Sequence, residues 1–292
     1  MRSGLVYRAS FEGTDVAVKI GGGEGDEAAG PGPDLLEQLG QAGVAPELIG
    51  ADRICEPSHF EGRRCLVTRW VGPSLADVLG MGEQLAPEDI DRLAVGLLNV
   101  IEETSRHGVQ ALQLALEHVL LPAGGPPVLC GWGRAWVQDQ PYEGNAGWPE
   151  QDLVPEQTAI YLWGLVLAGA VLRSSPSREH TADDRTFLVI DEESRDLLRR
   201  RLDERRAQLL GRTLDVNPHR RPTCDEALRE WTGAVRREPI VGVSEGEAPA
   251  PWRLRVAARA VDSRTFRFGL MGAAGLVGFI LGRAFFGVSP LG

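Results

Sequence analysis

The order in which hydrophobic patterns change along the chain is the feature that most constrains its fold. Alternating apolar and polar residues, typical of β-strands, occur in LVYRASF and VAVKI on either side of a turn predicted at Glu12–Asp15. A short helix is predicted in DLLEQLGQAG and another strand over residues 64–71. From Pro87 onward apolar residues recur at helical spacing, in LAVGLLNVIEET, TAIYLWGLVLAGAVL, LLRRRLDERRAQLLGRTL and CDEALREWTGAV. Strands followed by helices predict an α+β domain with two lobes.

Composition and charge exclude several classes of protein. An apolar content of 43% in 292 residues is enough for a hydrophobic core, which argues against a disordered chain. A net charge of −10 argues against a nucleic-acid-binding protein, so no nucleic-acid partner is expected. The four cysteines have no regular spacing, which favours a reducing compartment over disulfides or a zinc site. They are Cys55, Cys65, Cys130 and Cys224.

Residues 266–288 form a long apolar segment near the end of the chain. With a rise of about 1.5 Å per residue, its 23 residues as a helix would span a bilayer core of about 30 Å with some tilt. Its many glycines would weaken a helix in water, but membrane helices tolerate them. We therefore expect a transmembrane helix, in which Ala274, Gly278 and Gly282 line one face and could support helix–helix association.

The residues before this segment predict how the protein is placed. Residues 237–251 are rich in Gly, Pro and Glu, which is typical of a flexible linker, and residues 252–265 form a basic juxtamembrane segment. That basic segment could lie on the membrane surface or form a solvated helix. Arginines crowd its side of the span, so we expect a tail-anchored protein with a cytoplasmic domain. The membrane would be the endoplasmic reticulum or outer mitochondrial membrane in a eukaryote, and the inner membrane in a bacterium.

Six short blocks, in order over residues 4–235, resemble the protein kinase family. VYRASFEGTDVAVKI resembles two strands of the small lobe, and CLVTRWVGPSLADVL the strand, hinge and helix that join the lobes. HGVQALQLALEHVLL resembles the catalytic loop and VLCGWGRA the metal-binding segment. WPE and LDVNPHRRPTCDEAL resemble two later elements. The resemblance implies a two-lobed kinase-like domain over residues 1–236, followed by a linker and basic segment (237–265) and the transmembrane helix (266–288).

The resemblance implies where a nucleotide would bind. Lys19 lies in VAVK, where kinases place the lysine that contacts phosphate, and it is the only lysine among 31 basic residues. Thr68 takes the gatekeeper position, and Arg69 to Val71 form the hinge. The glutamate partner of Lys19 stays open between Glu27, Asp34 and Glu37. Only Gly4 precedes Val6 in the glycine-rich loop, so a truncated small lobe is expected.

The groups that kinases use for phosphoryl transfer are replaced. Gln113 stands at the catalytic aspartate and His118 at the metal-binding asparagine. Gly131 stands at the metal-binding aspartate and Trp132 at the phenylalanine that follows it, while Ala159 replaces an aspartate that braces the catalytic loop. No catalytic or metal-binding residue and no cofactor is therefore assigned, although ATP binding without a well-formed magnesium site stays open.

The positions that still match the kinase family are structural ones. Glu150 and Arg221 match an ion pair that ties the activation segment of kinases to the large lobe. The sequence therefore predicts a membrane-anchored pseudokinase, which is not an enzyme and acts as a scaffold or regulator for a protein partner. Two alternatives stay open: a nucleotide-binding sensor that uses Lys19, and an atypical kinase in which Glu117 or Asp152 has taken over the lost roles.

Overall fold

The computed structural model describes residues 5–20, 32–54, 61–82, 84–110, 114–132, 135–138, 154–173, 177–180, 186–189 and 191–233. These residues combine helices and strands, so the predicted α+β class is confirmed. They divide between Val71 and Gly72 into two compact units, each of which is described by itself below.

The first unit contains an antiparallel sheet of four strands in the order β1-β2-β4-β3. The strands are β1 (Leu5–Phe11), β2 (Thr14–Ile20), β3 (Leu48–Arg53) and β4 (Arg64–Arg69). The β1–β2 hairpin turns at Glu12 and Gly13, which both have positive φ angles of 50° and 78°. Two successive positive φ angles match the right-handed twist of a tight hairpin, and the predicted hairpin is confirmed.

One face of this sheet forms the core of the first unit. Val16, Val18 and Ile20 of β2 are at most 2% exposed and pack with Cys65 and Val67 of β4. The helix α1 (Pro33–Gln41) lies between β2 and β3 in the chain and buries Leu39. Because side chains alternate along a strand, Ala17 and Lys19 lie on the other face.

The second unit is mostly helical. Its helices are α2 (Leu75–Gly80), α3 (Pro87–Arg106), α4 (Pro155–Leu172), α5 (Glu192–Arg201), α6 (Glu204–Thr213) and α7 (Cys224–Thr232). The apolar α4 is the central helix: thirteen of its 18 residues are buried. The capping box of Ser74 and Asp77 begins α2, and that of Thr223 and Glu226 begins α7.

Two tryptophans, with Asp91 and Arg206, join four of these helices. Trp163 of α4 donates from its indole to the carbonyl of Ala94 in α3 at 3.0 Å and packs edge-on against Trp231 of α7. Asp91 of α3 then accepts hydrogen bonds from Trp231 and from Arg206 of α6, each at 3.1 Å. The cluster holds α3, α4, α6 and α7 together at the point where the described chain ends.

Short strand pairs lie between α3 and α4. β5 (Val109–Gln110) pairs with β8 (Trp136–Val137), and β6 (Val119–Leu120) pairs with β7 (Val128–Leu129). A single 3₁₀ turn, Leu116–His118, leads directly into β6. After α4 the strands β9 (Ser177–His180) and β10 (Thr186–Val189) form a hairpin that the sequence analysis did not predict.

The helical run LLRRRLDERRAQLLGRTL, treated as one periodic stretch, is interrupted in the structure. Leu202 is extended, with φ −115° and ψ 167°, so α5 ends at Arg201. The side chain of Asp203 accepts a hydrogen bond from the backbone N–H of Arg206 at 2.9 Å and thereby starts α6. An N-cap inside a periodic pattern divides it into two helices.

The predicted linker (237–265) and transmembrane segment (266–288), with Ala274, Gly278 and Gly282, lie outside the described residues. Within the described part of the chain, no helix combines the length and the apolar character that crossing a membrane requires.

Candidate functional site

Lys19 lies on the sheet face that faces away from the core of the first unit. In the sheet register Lys19 is opposite Val6 of β1 and Leu66 of β4, and Ala17 is opposite Thr68. Residues directly opposite each other project from the same face, so these five side chains share one surface. The lysine and the gatekeeper residue that the sequence predicted are thus brought to the same face of one sheet.

The charges at the two ends of this face differ. At one end Arg8 forms an ion pair with Asp15, and its guanidinium lies over the ring of Trp70 at 4.9 Å. At the other end Lys19 has no ion pair among the residues that the structure describes. A partly exposed ammonium without an opposing carboxylate is available to an anion such as phosphate.

The three acids considered as partners of Lys19 have different outcomes. Asp34 and Glu37 are exposed on α1, and neither pairs with Lys19; Glu37 instead accepts a hydrogen bond from Gln41 at 3.3 Å. Glu27 lies outside the described residues. Because α1 directs Leu39 toward the core, its acidic residues lie on its solvent side.

The predicted hinge residues continue from β4. The side chain of Arg69 pairs with Glu47, and its backbone N–H donates to the carbonyl of Glu47 at 2.9 Å. The hydrogen bond and negative charge of Glu47 raise the pKa of Arg69. Trp70 donates its backbone N–H to Asp15 at 2.9 Å, and Val71 is the last residue of the first unit. The Arg69 side chain is therefore engaged by a surface ion pair, while Thr68 stays on the Lys19 face.

In the second unit, the 3₁₀ turn places His118 beside the strand that leads to Gly131. His118 accepts a hydrogen bond from the backbone N–H of Cys130 at 2.9 Å, one residue before Gly131. Val119 and Leu129, the next residues inward, pair in the β6–β7 ladder. The metal-binding positions of the kinase resemblance, 118 and 131, are thus side by side. Gln113 lies outside the described residues.

The imidazole of His118 occupies the space where a side chain at position 131 would begin. A Cβ atom built on Gly131 would lie 2.7 Å from Cδ2, 2.9 Å from Cγ and 2.9 Å from Nε2 of His118. Gly131 also has a φ angle of +82°, in the region that glycine adopts most easily. Magnesium, the ion that kinases place here, prefers oxygen ligands, so these two residues do not fit it.

The sequence offered two acids as substitutes for the lost carboxylates. Glu117 is exposed, and Asp152 lies outside the described residues. Across the described ranges there is no group of three or more His, Cys, Asp or Glu side chains that could hold a metal ion.

Trp132 and Ala159, which stand where the kinase resemblance expects a phenylalanine and an aspartate, both lie in the hydrophobic core. Trp132 is 7% exposed and donates its indole N–H to the carbonyl of Leu129 at 2.9 Å. Ala159 in α4 is fully buried and has no polar group with which to brace a loop. Both positions serve packing in this chain.

Arg221 is the most buried arginine of the described chain. It is 5% exposed and donates to the carbonyls of Asp215 at 2.8 Å and Gln157 at 3.2 Å, with its guanidinium over the ring of Tyr161 at 4.6 Å. Burial lowers the pKa of Arg221 to about 10, so it is still charged at neutral pH. Its predicted partner, Glu150, lies outside the described residues.

The contact between His118 and Gly131 is a feature that the sequence analysis missed. The signal was the coincidence of two substitutions, an imidazole for an asparagine and a glycine for an aspartate, 13 positions apart. Comparison of the whole chain with protein-family models and with curated proteins gives no match.

Proposed function

We propose that this chain is a membrane-anchored pseudokinase: a kinase-like domain without phosphoryl transfer that binds a protein partner at a membrane. The observation that carries the proposal is the steric exclusion of a carboxylate at position 131 by His118. At this position kinases hold a metal ion against the nucleotide phosphates, and transfer depends on that ion.

The order of the elements supports a kinase-like fold. The hairpin carrying Lys19 is followed by α1, by the strand ending at the hinge, and by a boundary between two units after Val71. In the second unit α2, the β6–β7 pair and the start of α7 coincide with blocks that resemble the kinase family, and α3 and α4 lie between such blocks. Each block on its own is a weak match, so the support comes from their agreement with the architecture.

A nucleotide-binding sensor is the second candidate, because a specific observation favours it. Lys19 shares its sheet face with Ala17 and Thr68, and none of the described acids pairs with it. If the lysine served only the structure of the sheet, a carboxylate partner or full solvent exposure would be expected. Nucleotide binding through Lys19 would then shift the conformation of the domain instead of leading to transfer.

A thermal-shift titration separates the scaffold from the sensor. The purified full-length chain is heated with millimolar ATP, and Lys19→Ala is compared with Arg64→Ala, which removes an exposed cation on the neighbouring strand. The scaffold predicts no shift in any variant. The sensor predicts a shift that Lys19→Ala abolishes and Arg64→Ala retains.

The anchor is tested by membrane fractionation. The full-length chain with an N-terminal fluorescent tag is compared with a variant that ends at residue 265. We expect the full-length chain to resist alkaline carbonate extraction and the shortened chain to appear in the supernatant. Extraction of both proteins by carbonate would contradict the anchor and leave the reading of the kinase-like domain intact.

The anchor gives the scaffold a physical advantage. Confinement to a membrane raises the effective concentration of a partner anchored in the same membrane, so a weak interface is sufficient. Association through Ala274, Gly278 and Gly282 would add a second contact between anchored chains.

A further inference from the structure

We propose that His118 closes the second unit to divalent cations, so that a nucleotide bound by this domain is bound as the metal-free polyphosphate anion. The inference deepens the proposed function and rests on it, because the kinase resemblance identifies positions 118 and 131 as metal-binding. It differs from simple loss of a ligand: the space for the missing carboxylate has been filled.

The structure leaves no room for a side chain at position 131. Separations of 2.7 to 2.9 Å between a Cβ at this position and three ring atoms of His118 are shorter than real Cβ contacts. One of the three atoms is Cγ, the ring atom bonded to the Cβ of His118. A tilt of the imidazole cannot move Cγ away, so a larger residue at 131 requires a different χ1 rotamer of His118.

The backbone holds His118 and Gly131 against each other. The Cys130 N–H donates to the His118 carbonyl at 2.9 Å, and Val119 pairs with Leu129 in the β6–β7 ladder. A clash at Gly131 therefore cannot be relieved by separating the strands without breaking these hydrogen bonds. His118 is compatible with glycine at 131, and aspartate at 131 is compatible only with a smaller or rotated residue at 118.

A lone imidazole is a poor ligand for magnesium, which prefers oxygen. With no carboxylate at 131, the negative charge of a polyphosphate would be balanced by protein cations alone. A metal-free nucleotide satisfies this condition, whereas a magnesium complex would lack its protein oxygen ligands.

An alanine double-mutant cycle tests the steric part on the full-length chain. Gly131→Ala is measured alone and with His118→Ala, and melting temperatures are recorded by differential scanning fluorimetry. Gly43→Ala is the matched control, because Gly43 has a similar φ of +73° but open space where its Cβ would lie. We expect Gly131→Ala to lower the melting temperature much more than Gly43→Ala, and the His118→Ala background to remove most of this difference.

A cation titration tests the functional part. With millimolar ATP present, manganese should shift the melting temperature of His118→Asn/Gly131→Asp but not that of the native chain or of Gly131→Asp alone. An equal loss from Gly131→Ala in both backgrounds would overturn the role of His118 and leave the proposed function standing. Coupling in the alanine cycle without a manganese response in the Asn/Asp variant would overturn the metal assignment of positions 118 and 131, whereas the proposed function would be overturned by phosphoryl transfer from ATP that Lys19→Ala abolishes.

Discussion

Replacement of Arg221 by methionine probes the most buried arginine of the described chain. Methionine keeps a long unbranched side chain but removes every donor. The carbonyls of Asp215 and Gln157 then lose their hydrogen bonds at 2.8 and 3.2 Å, and the ring of Tyr161 loses the cation stacked on it at 4.6 Å. The substitution therefore separates the polar role of Arg221 from its volume.

The expected loss follows from three contributions. Two hydrogen bonds from a charged donor contribute about 3–6 kcal/mol, and a desolvated cation–π contact about 2 kcal/mol. Against this, burial of the charge, which lowers the pKa of Arg221 to about 10, offsets part of the gain. We therefore expect Arg221→Met to lower the free energy of unfolding by about 3 kcal/mol.

Urea denaturation followed by tryptophan fluorescence measures this loss. Arg220→Met is the matched control, because Arg220 is the neighbouring residue, is exposed, and should change stability by less than about 0.5 kcal/mol. Arg221→Lys keeps the charge but not the planar guanidinium, so its free energy of unfolding should fall by at least half as much as that of Arg221→Met. If Arg221→Met and Arg220→Met had the same stability within about 0.5 kcal/mol, the reasoning would be refuted.

Three further predictions concern the second unit. Gly164→Ala should lower the free energy of unfolding by about 2–3 kcal/mol, because the new Cβ would overlap Oγ1 of Thr213 between α4 and α6. Adding Thr213→Ala to the same chain should recover part of this loss. If chemical denaturation showed that the effects of the two substitutions simply add, the prediction would be contradicted. Asp91→Ala should lower the free energy of unfolding by about 1–2 kcal/mol, because the indole N–H of Trp231 loses its acceptor. The fluorescence emission of Trp231 should shift to the blue or broaden. Unchanged stability would argue against the cluster that joins the helices. Burial raises the pKa of Cys224 from 9.0 to about 12, so the folded state keeps a proton that the unfolded state loses above pH 9. From pH 9 upward the free energy of unfolding should therefore fall more steeply, by up to about 1.4 kcal/mol per pH unit, in the native chain than in Cys224→Ala, where Cys65, whose pKa burial raises to about 11, still contributes a fall. Parallel pH profiles of the two proteins would contradict the prediction.

Local patterns carried the predictions that the structure confirms. The alternation in LVYRASF and VAVKI is a property of neighbouring residues, so it predicts both the hairpin and the shared face of Ala17 and Lys19. The division between α5 and α6 was missed because the apolar spacing continues across it. The signal was present in Asp203, an N-cap residue inside the run.

The features of the candidate site that were missed depend on tertiary contacts. His118 and Gly131 meet only because β6 and β7 pair in one particular register, which the sequence does not specify. Arg221 donates to backbone carbonyls, which leave no trace in residue identity. Side-chain chemistry at motif positions could be predicted, but the space around those positions could not.

Transfer of the γ-phosphate is the most direct test of the account. The purified full-length chain is incubated with radiolabelled ATP and either magnesium or manganese, and both labelled protein and released phosphate are counted. The account predicts no signal above that of Lys19→Ala for either ion. Phosphate transfer or ATP hydrolysis that Lys19→Ala abolishes would contradict the account, because the protein would then bind the divalent cation and transfer the phosphoryl group without a carboxylate at position 131.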